Sequence, residues 1–378
     1  MNFGFTEEQE LLRKTARAVI DEHAPVAEAR RVLEQGASHS IELWRRLAEL
    51  GWAGLAVPDV HGGAGLTWVE LCILCEELGR NLAPVPFLPH ALATDAVAEL
   101  GSEAQRSHWL PRMASGDVLA TIDLHAAEST PALRAESRGG RLHLRGALTF
   151  VPYAASAQLV VARVLLQDGI RVVAIPTSTR GFEPRLLQAL DPLRPLYEIA
   201  CDDVEVSADA LLGERTVPAS AQGALVDRAL VLVAAEMLGG AERCLESAVA
   251  YAQQRIQFGK PIGVHQAIKH KCADMLFGVE AARSITYYAA WAARERRPDA
   301  GLLASMAKAT AGESFRRAAS DNLQIHGGVG FTWEYDCHLY LRRARSDDAW
   351  LGSSSVQRER IARVLDLEGG ASPGRHSE

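Results

Sequence analysis

The chain has 378 residues, of which 48% are hydrophobic and 23% charged, a balance typical of a folded globular protein and not of a disordered or fibrous one. At about 150 residues per domain, this length predicts two or three domains with a large buried core. The net charge of −7 comes from 40 Lys and Arg against 47 Asp and Glu, and it argues against a nucleic-acid binder or a protein that binds anionic membranes.

Neither a membrane span nor a secretion signal is expected. The apolar run from Ala229 to Ala235 lies between Arg228 and Glu236 and is much shorter than the roughly 20 residues that a span needs. The acidic start, MNFGFTEEQE, has no signal-peptide pattern. We therefore expect a cytoplasmic protein.

The cysteines indicate neither a disulfide scaffold nor a metal site. Six cysteines in 378 residues are too few for a disulfide-rich fold. Cys72 and Cys75 lie in the run WVELCILCEELGR, where a spacing of three predicts the buried face of a helix. No second cysteine pair is placed to complete a zinc site, so we expect no metal.

The predicted elements follow the order helical, β, helical. Thr6 and Gln9 match a capping box that begins a first helix, and further helices are expected over 41–50 and 68–78. Apolar β-like runs then follow without helical crossovers, at 142–144, 159–166, 171–175 and 197–206. Four long amphipathic segments come last, at 221–254, 263–295, 299–325 and 353–365.

These elements predict a multidomain α+β protein. A helical N-terminal domain precedes a central antiparallel β domain and a C-terminal four-helix bundle. The expected bounds are 1–116, 117–214 and 215–367, with a disordered tail over 368–378.

Two segments carry a more specific signal. The first is RIQFGKPIGVHQ, from Arg255 to Gln266, and the second is QIHGGVGFTWEYD, from Gln324 to Asp336. A glycine pair after a helix is compatible with a simple helix end. In this order and within this layout, however, the whole chain resembles the acyl-CoA dehydrogenases over about residues 3–367.

The resemblance implies a flavoprotein that binds FAD and desaturates the Cα–Cβ bond of an acyl-CoA thioester. In that family a carboxylate takes the α proton while the β hydrogen moves as hydride to flavin N5. The resemblance also implies lipid metabolism, a homo- or hetero-tetramer, and an electron-transfer flavoprotein or similar electron acceptor.

The same resemblance implies the cofactor contacts. Arg255 and Phe258 would hold the pyrophosphate and adenine end of FAD, and an arginine fork is suited to phosphate oxygens. Gln266 would bind the same half of the cofactor, and Gln324, Gly327 and Gly328 would contact the ADP portion. In the family these groups reach the FAD of a neighbouring subunit. Two further contacts are implied on the chain's own side, Phe150 and Ser353.

The chain departs from the family where its own catalysis would take place. Leu351 and Ala229 occupy the two family positions of the catalytic base, and neither can accept a proton. Beside the flavin ring the family usually has Trp-Ile-Thr-Asn, whereas this chain has Phe150, Val151, Pro152 and Tyr153. The segment DLHAAESTPALRAES does not show the family pattern, and its positions are not assigned.

Three functions are compatible with this pattern. The first is a subunit of a heteromeric acyl-CoA dehydrogenase whose partner supplies the base. The second is a self-sufficient homo-oligomer with a relocated base, for which Asp227 and Glu236 are weak candidates because helix-surface ion pairs are their commoner role. The third is a non-redox structural or binding derivative of the fold, which the retained cofactor motifs disfavour.

An assembly is also expected from the segment 221–252. This stretch is apolar over much of its circumference, and such a helix needs cover on more than one face. We therefore expect a neighbouring subunit to supply part of that cover.

Overall fold

A computed structural model describes residues 4–124, 130–213 and 216–365, and it confirms the predicted fold class. The first part is helical: α1(Glu7–His23), α2(Val26–Glu34), α3(Ile41–Glu49), α4(Trp68–Arg80), α5(Phe87–Leu100) and α6(Glu103–Ala114). The predicted disordered tail and residues 125–129 of the unassigned segment lie outside the described residues.

Local sequence signals explain where these helices begin. The predicted capping box of α1 is confirmed, since the Thr6 hydroxyl accepts from the Gln9 backbone while the Gln9 side chain accepts from the Thr6 N–H. Cys72 and Cys75 lie on α4 and are both buried, as their spacing predicted. The sequence-based expectations omitted α2, α5 and α6.

The central part is one mixed sheet. Its strands are β1(Ala120–Ile122), β2(Arg134–Arg138), β3(Arg141–Pro152), β4(Leu159–Leu166), β5(Gly169–Pro176), β6(Glu183–Leu186) and β7(Leu196–Ser207). The order is β1-β4-β2-β3-β7-β6, with β5 paired to β4. The pairings β2–β3, β3–β7, β4–β5 and β6–β7 are antiparallel as predicted, whereas β1 and β2 run parallel to β4. The purely antiparallel description was therefore wrong in this detail, because the short strands β1 and β2 were not recognised.

The C-terminal part is a helical bundle. It consists of α7(Ala219–Gln254), the hairpin strands β8(Ile256–Gln257) and β9(Lys260–Pro261), α8(Gln266–Arg294), α9(Ala300–His326), α10(Cys337–Ala349) and α11(Ser354–Val364). Four of these helices match the four predicted segments, and α10 is additional. It crosses α9 and α7 on one side of the bundle.

Helix α7 is the central helix of the molecule. Its residues 229–235 are completely buried, as are Met237 and Leu238. Helices α4, α5, α8, α9 and α10 of the same chain provide the cover. The apolar stretch is therefore covered within the chain, so it does not support the expectation that a neighbouring subunit supplies part of the cover. The expected assembly stays a prediction.

Two glycines bring α4 and α7 close together. A Cβ at Gly239 would lie 1.9 Å from the carbonyl oxygen of Glu76, and a Cβ at Gly79 would lie 2.1 Å from that of Glu236. Because no side chain fits there, the backbones can pack directly. This contact joins the N-terminal helices to the bundle, beside the region where the site residues lie.

Within the described residues, no helix is long and apolar enough to cross a membrane.

Candidate functional site

The first cofactor motif forms an exposed hairpin at the end of α7. Arg255 caps α7, and its side chain extends from the end of the helix into solvent. Phe258 and Gly259 form the turn of the β8–β9 hairpin, both with positive φ, at 51° and 76°. The Phe258 side chain is 95% exposed. A large apolar residue held in a left-handed conformation in water is costly for the free chain, which indicates a binding role.

The second motif lies at the end of α9. Gln324 is exposed in the last turn, and Gly327 leaves the helix with φ 67° and ψ −144°, a conformation that needs glycine. A Cβ added at Gly327 or Gly328 would meet no other atom within 4 Å. The backbone of this glycine pair is therefore open to a molecule approaching from outside the chain.

An aromatic contact joins the two motifs. Tyr251, one turn before Arg255, stacks on His326 with ring centroids 4.1 Å apart and an interplanar angle of 23°. Tyr335 packs edge-on against both rings, at 6.1 and 5.4 Å. Burial lowers the pKa of His326 and favours a neutral ring in this stack. The Asn322 carbonyl oxygen, 2.9 Å from Nδ1, acts in the opposite direction, but burial is the larger effect. The sequence-based expectations missed all three aromatic residues.

These groups fit the adenosine-diphosphate half of FAD. Within the described residues, the side chains of Arg255, Gln266 and Gln324 have no protein hydrogen-bond or ion-pair partner. Gln266 begins α8, directly after the hairpin. The ADP portion combines a charged pyrophosphate with a flat adenine base. These two parts match the free guanidinium, the two free amides, the exposed ring and the open glycine backbone. All of them face outward, as expected of groups that reach a neighbouring subunit's cofactor.

The segment that would lie beside the chain's own flavin ring is arranged differently. Phe150 has a positive φ of 60° and is partly exposed. The Tyr153 ring is buried, and its hydroxyl donates to the Leu193 carbonyl oxygen at 2.9 Å. The Pro152 carbonyl accepts from the Thr121 hydroxyl at 2.6 Å. The polar groups of this segment are thus mostly directed into the protein.

The loop between α10 and α11 contains Leu351, the first family base position, and buried side chains of the bundle hold its backbone. Leu351 has a φ of 60°, and its carbonyl oxygen accepts from the Gln357 side chain at 2.8 Å. The buried Lys308 ammonium donates to the Gly352 carbonyl at 3.3 Å, and burial lowers the pKa of this lysine to about 8. Ser353 is the N-cap of α11 and accepts from the Val356 N–H. This cap is a structural role for Ser353, and a cofactor role stays a prediction.

Glu236 belongs to a buried ion cluster, which we define as Asp191, Arg194, Glu236, Arg343 and Asp347. Arg343 pairs with Asp191 and, at 2.9 Å, with Glu236. Arg194 pairs with Glu236 and, at 2.7 Å, with Asp347. Both carboxylate oxygens of Glu236 are therefore engaged by arginines. This environment opposes the interpretation of Glu236 as a relocated base.

The other carboxylate candidate is also engaged. Asp227 lies on α7 and pairs with Arg360 of α11 at 2.6 Å. Ala229, at the second family base position, has no exposed surface. The pair with Arg360 favours the ion-pair interpretation of Asp227. The methyl side chain of Ala229 cannot accept a proton.

The interior beside the ion cluster has almost no free volume. Tyr153, Arg194 and Glu236 line a cavity of about 10 Å³ with side chains of α4 and α5. Pockets for small ligands commonly measure about 300–1,000 Å³. The Arg194 guanidinium also packs on the Trp350 ring, 4.8 Å from its centroid. A larger groove of about 870 Å³ lies elsewhere, between α1 and α8, and includes none of the predicted site residues.

Comparison with known proteins is consistent with this architecture. The acyl-CoA dehydrogenase N-terminal domain matches residues 6–117, and the acyl-CoA dehydrogenase C-terminal domain matches residues 220–365. The acyl-CoA dehydrogenase IpdE2 of Mycolicibacterium smegmatis is 31% identical over 357 residues, which cover 94% of this chain and 98% of the relative. The chain belongs to the acyl-CoA dehydrogenase family, whose members are FAD-dependent oxidoreductases.

Two solved structures are also similar to this chain. The ChsE4–ChsE5 complex from Mycobacterium tuberculosis contains a chain with a TM-score of 0.89 and 28% identity, covering 98% of this chain and all of that one. Glutaryl-coenzyme A dehydrogenase in complex with glutaryl-CoA has a TM-score of 0.91 and 27% identity, with full coverage of both chains. The fold is therefore similar to that of a protein solved as a two-component complex and to that of a protein solved with an acyl-CoA.

Proposed function

We propose that this chain is one subunit of a heteromeric, FAD-dependent acyl-CoA dehydrogenase. It contributes the adenosine-side contacts to an FAD held mainly by a homologous partner subunit. That partner carries the carboxylate that removes the α proton of the acyl-CoA thioester. When bound, FAD supplies the hydride acceptor of this desaturation, and an electron-transfer flavoprotein or similar acceptor would receive the electrons.

The observation that carries this proposal is the contrast between two regions of one chain. The groups that would reach a neighbour's cofactor are exposed and have no partner within the described residues, namely Arg255, Phe258, Gln266 and Gln324. At the chain's own base positions, Leu351 and the fully buried Ala229 cannot accept a proton. The two nearby carboxylate candidates, Asp227 and Glu236, are both held in ion pairs with arginines. A chain that keeps the contacts to a neighbour's cofactor but lacks its own catalytic base fits a subunit that contributes to a shared site.

The roles of the exposed groups follow from their chemistry. The Arg255 guanidinium would pair with pyrophosphate oxygens, and the Phe258 ring would cover the face of the adenine. The Gly327–Gly328 backbone would allow the ADP portion to approach closely. None of these groups takes part in proton removal, so the partner's carboxylate is needed for turnover.

The test compares the lone chain with a co-purified mixed assembly. Desaturation of acyl-CoA substrates is measured with an artificial electron acceptor, and flavin per chain is measured by absorbance. We expect negligible turnover by the lone chain, because a positioned base contributes about 10²–10⁴ in rate, and about half a flavin per chain in the mixed assembly.

Robust turnover by the lone chain would overturn the proposal and favour a relocated base, which Asp227→Asn and Glu236→Gln would then locate. One full flavin per chain in the mixed assembly would remove the argument for a shared site. If neither assembly binds flavin, the non-redox function is favoured instead.

A further inference from the structure

The loop after α9 connects the glycine pair to α10. It is held in part by a residue of the N-terminal helices. We define the glycine loop as residues 327–336: a 3₁₀ turn, Gly327–Phe331, followed by an irregular stretch that ends at Asp336 before α10. Gly327 has a positive φ, and Gly328 is exposed. The start of the loop is tied to α9 by the Gly327 N–H, which donates to the Gln324 and Leu323 carbonyl oxygens. The rest of the loop is held by contacts made further along it.

One residue of the N-terminal helices makes three hydrogen bonds to the loop. Arg30 of α2 donates from Nε to Asp336 Oδ1 at 2.7 Å, from Nη1 to the Trp333 carbonyl at 2.6 Å, and from Nη2 to the Tyr335 carbonyl at 2.9 Å. All three guanidinium nitrogens thus bind the same four-residue stretch. The planar fork of arginine suits this geometry, and a lysine ammonium cannot reproduce it.

The position of Arg30 is itself well determined. Val26, Ala29 and Val32 form the buried face of α2, so the helix is anchored to the core while Arg30 extends towards the loop. The guanidinium also lies 5.9 Å from the centroid of the exposed Trp333 ring. Arg30 therefore links a fixed helix to an otherwise exposed part of the loop.

The loop is fixed at its other side by the aromatic contact described above. Tyr335 packs edge-on against Tyr251 and His326, and its carbonyl oxygen is one of the acceptors of Arg30. Between these two anchors, the loop has a defined path back to Gly327. Trp333 of the loop also packs against the rings and side chains of α10, edge-on to His338 and under Arg342. Loss of Arg30 would remove three hydrogen bonds and leave ring contacts to hold this part of the loop.

We propose that Arg30 is a positioning residue for the cofactor half-site: it fixes the glycine loop so that the backbone at Gly327 and Gly328 is preorganised for the ADP portion of FAD. This inference rests on the proposed function. Arg30 acts through the loop and does not itself contact the cofactor. Ordering the loop before binding removes an entropic cost from the binding step.

The experiment uses the complete chain in its natural assembly, freed of flavin and titrated with FAD. The variants are Arg30→Ala and Arg30→Lys, and Gln324→Ala serves as the direct-contact reference. Arg31→Ala is the matched control, because Arg31 is the next residue on α2 and its guanidinium bonds Glu28 and the C-cap residue Gln35. Among the described residues it makes no hydrogen bond to the glycine loop. Hydrogen exchange of amides 327–336 is measured on the same flavin-free samples.

We expect Arg30→Ala to weaken FAD binding about tenfold and to speed amide exchange within the glycine loop but not in α7. Arg30→Lys should weaken binding by a smaller factor, and it keeps the question testable if the alanine variant does not fold. Arg31→Ala should change the dissociation constant less than twofold.

Equal FAD affinity in the Arg30 and Arg31 variants would overturn the inference, as would unchanged exchange in the glycine loop. If Gln324→Ala and Arg255→Ala also leave FAD affinity unchanged, the proposed function fails. If those two variants weaken binding and Arg30→Ala does not, only the role of Arg30 fails.

Discussion

Tyr251 and His326 stack in parallel, with their ring centroids 4.1 Å apart, at the point where α7 and α9 end. Arg255 lies one turn beyond Tyr251, and Gly327 directly follows His326. The stack therefore holds together two cofactor motifs that are about 70 residues apart in sequence. A half-site for FAD needs this alignment, since a single ligand would have to contact both motifs at once.

Replacement of Arg255 by alanine should weaken FAD binding. A charge-assisted pair with a buried phosphate is worth about 2 kcal/mol or more, which corresponds to roughly 30-fold in the dissociation constant. A fluorescence titration of the flavin-free assembly measures this effect. Arg243→Ala, which removes a surface arginine three turns earlier on α7, is the control and should leave the affinity unchanged. An equal affinity for both variants would contradict the role assigned to Arg255.

Replacement of Phe258 by glycine should lower the affinity for FAD without lowering the stability of the flavin-free protein. Phe258→Gly relieves the left-handed backbone, whose cost is about 1–2 kcal/mol, although part of this gain is offset by the greater freedom of glycine in the unfolded chain. Because the ring is 95% exposed, its loss removes little packing. We expect the flavin-free protein to be at least as stable as the wild type in chemical denaturation, while its FAD affinity falls.

Phe258→Ala is the matched variant for this comparison. It removes the ring but keeps a side chain at φ 51°. The alanine variant should lose as much FAD affinity as the glycine variant without the gain in stability. If both variants bind FAD as well as the wild type does, the ring has no role in the half-site.

Several helices and strands of this fold were predicted from the sequence, because their signals depend on residues close together in the chain. The capping box at Thr6 and Gln9 depends on residues three apart, and the alternation of Leu142 and Leu144 with polar neighbours matches β3. The long bundle helices follow from their apolar periodicity. The motif at Arg255 was also visible, since its residues are adjacent in the chain.

The missed features depend on contacts between distant residues. Arg30 and Asp336 are 306 residues apart, and no spacing rule joins them. The ion cluster was not predicted either, because Arg194 and Glu236 come together only through the packing of α7 against the segment between β6 and β7. The cover of α7 was attributed to another subunit because single helices were considered without their neighbours in the fold.

Truncation of Arg343 should destabilise the protein strongly. This side chain is fully buried and pairs with Asp191 and Glu236. Without it, three buried carboxylates would face Arg194 alone, and breaking a buried pair in this way costs about 3–5 kcal/mol. Chemical denaturation of Arg343→Ala measures the loss. Arg145→Ala removes an exposed pair with Asp203 and should leave the denaturation midpoint unchanged.

Asp347 should make stability depend on pH. Burial is the main cause that raises its pKa, from an ordinary 3.8 to about 7, with Glu236 and Asp191 adding to the rise and the two arginines opposing it. The folded protein therefore keeps this proton between about pH 4 and 7, while the unfolded chain has already released it. In that window the unfolded state binds fewer protons, so the contribution of Asp347 to the unfolding free energy falls as pH rises, by at most about 1.4 kcal/mol per pH unit.

The Asp347→Asn variant cannot release a proton, and it should lose this dependence. As the pH rises from 5 to 8, the variant should become more stable relative to the wild type: the difference between its unfolding free energy and that of the wild type increases. This increase should level off above about pH 7. Urea denaturation of both proteins at half-unit pH steps gives this difference directly. Asp203→Asn is the control, because the Asp203 carboxylate is exposed and its pKa is lowered by the neighbouring Arg145 guanidinium. Parallel stability curves for the wild type and Asp347→Asn would show that Asp347 is ionised in the folded protein throughout this range. The excess negative charge of the ion cluster would then be compensated by another group, for which the buried Lys308 is a candidate because its charge interacts with that of Asp347.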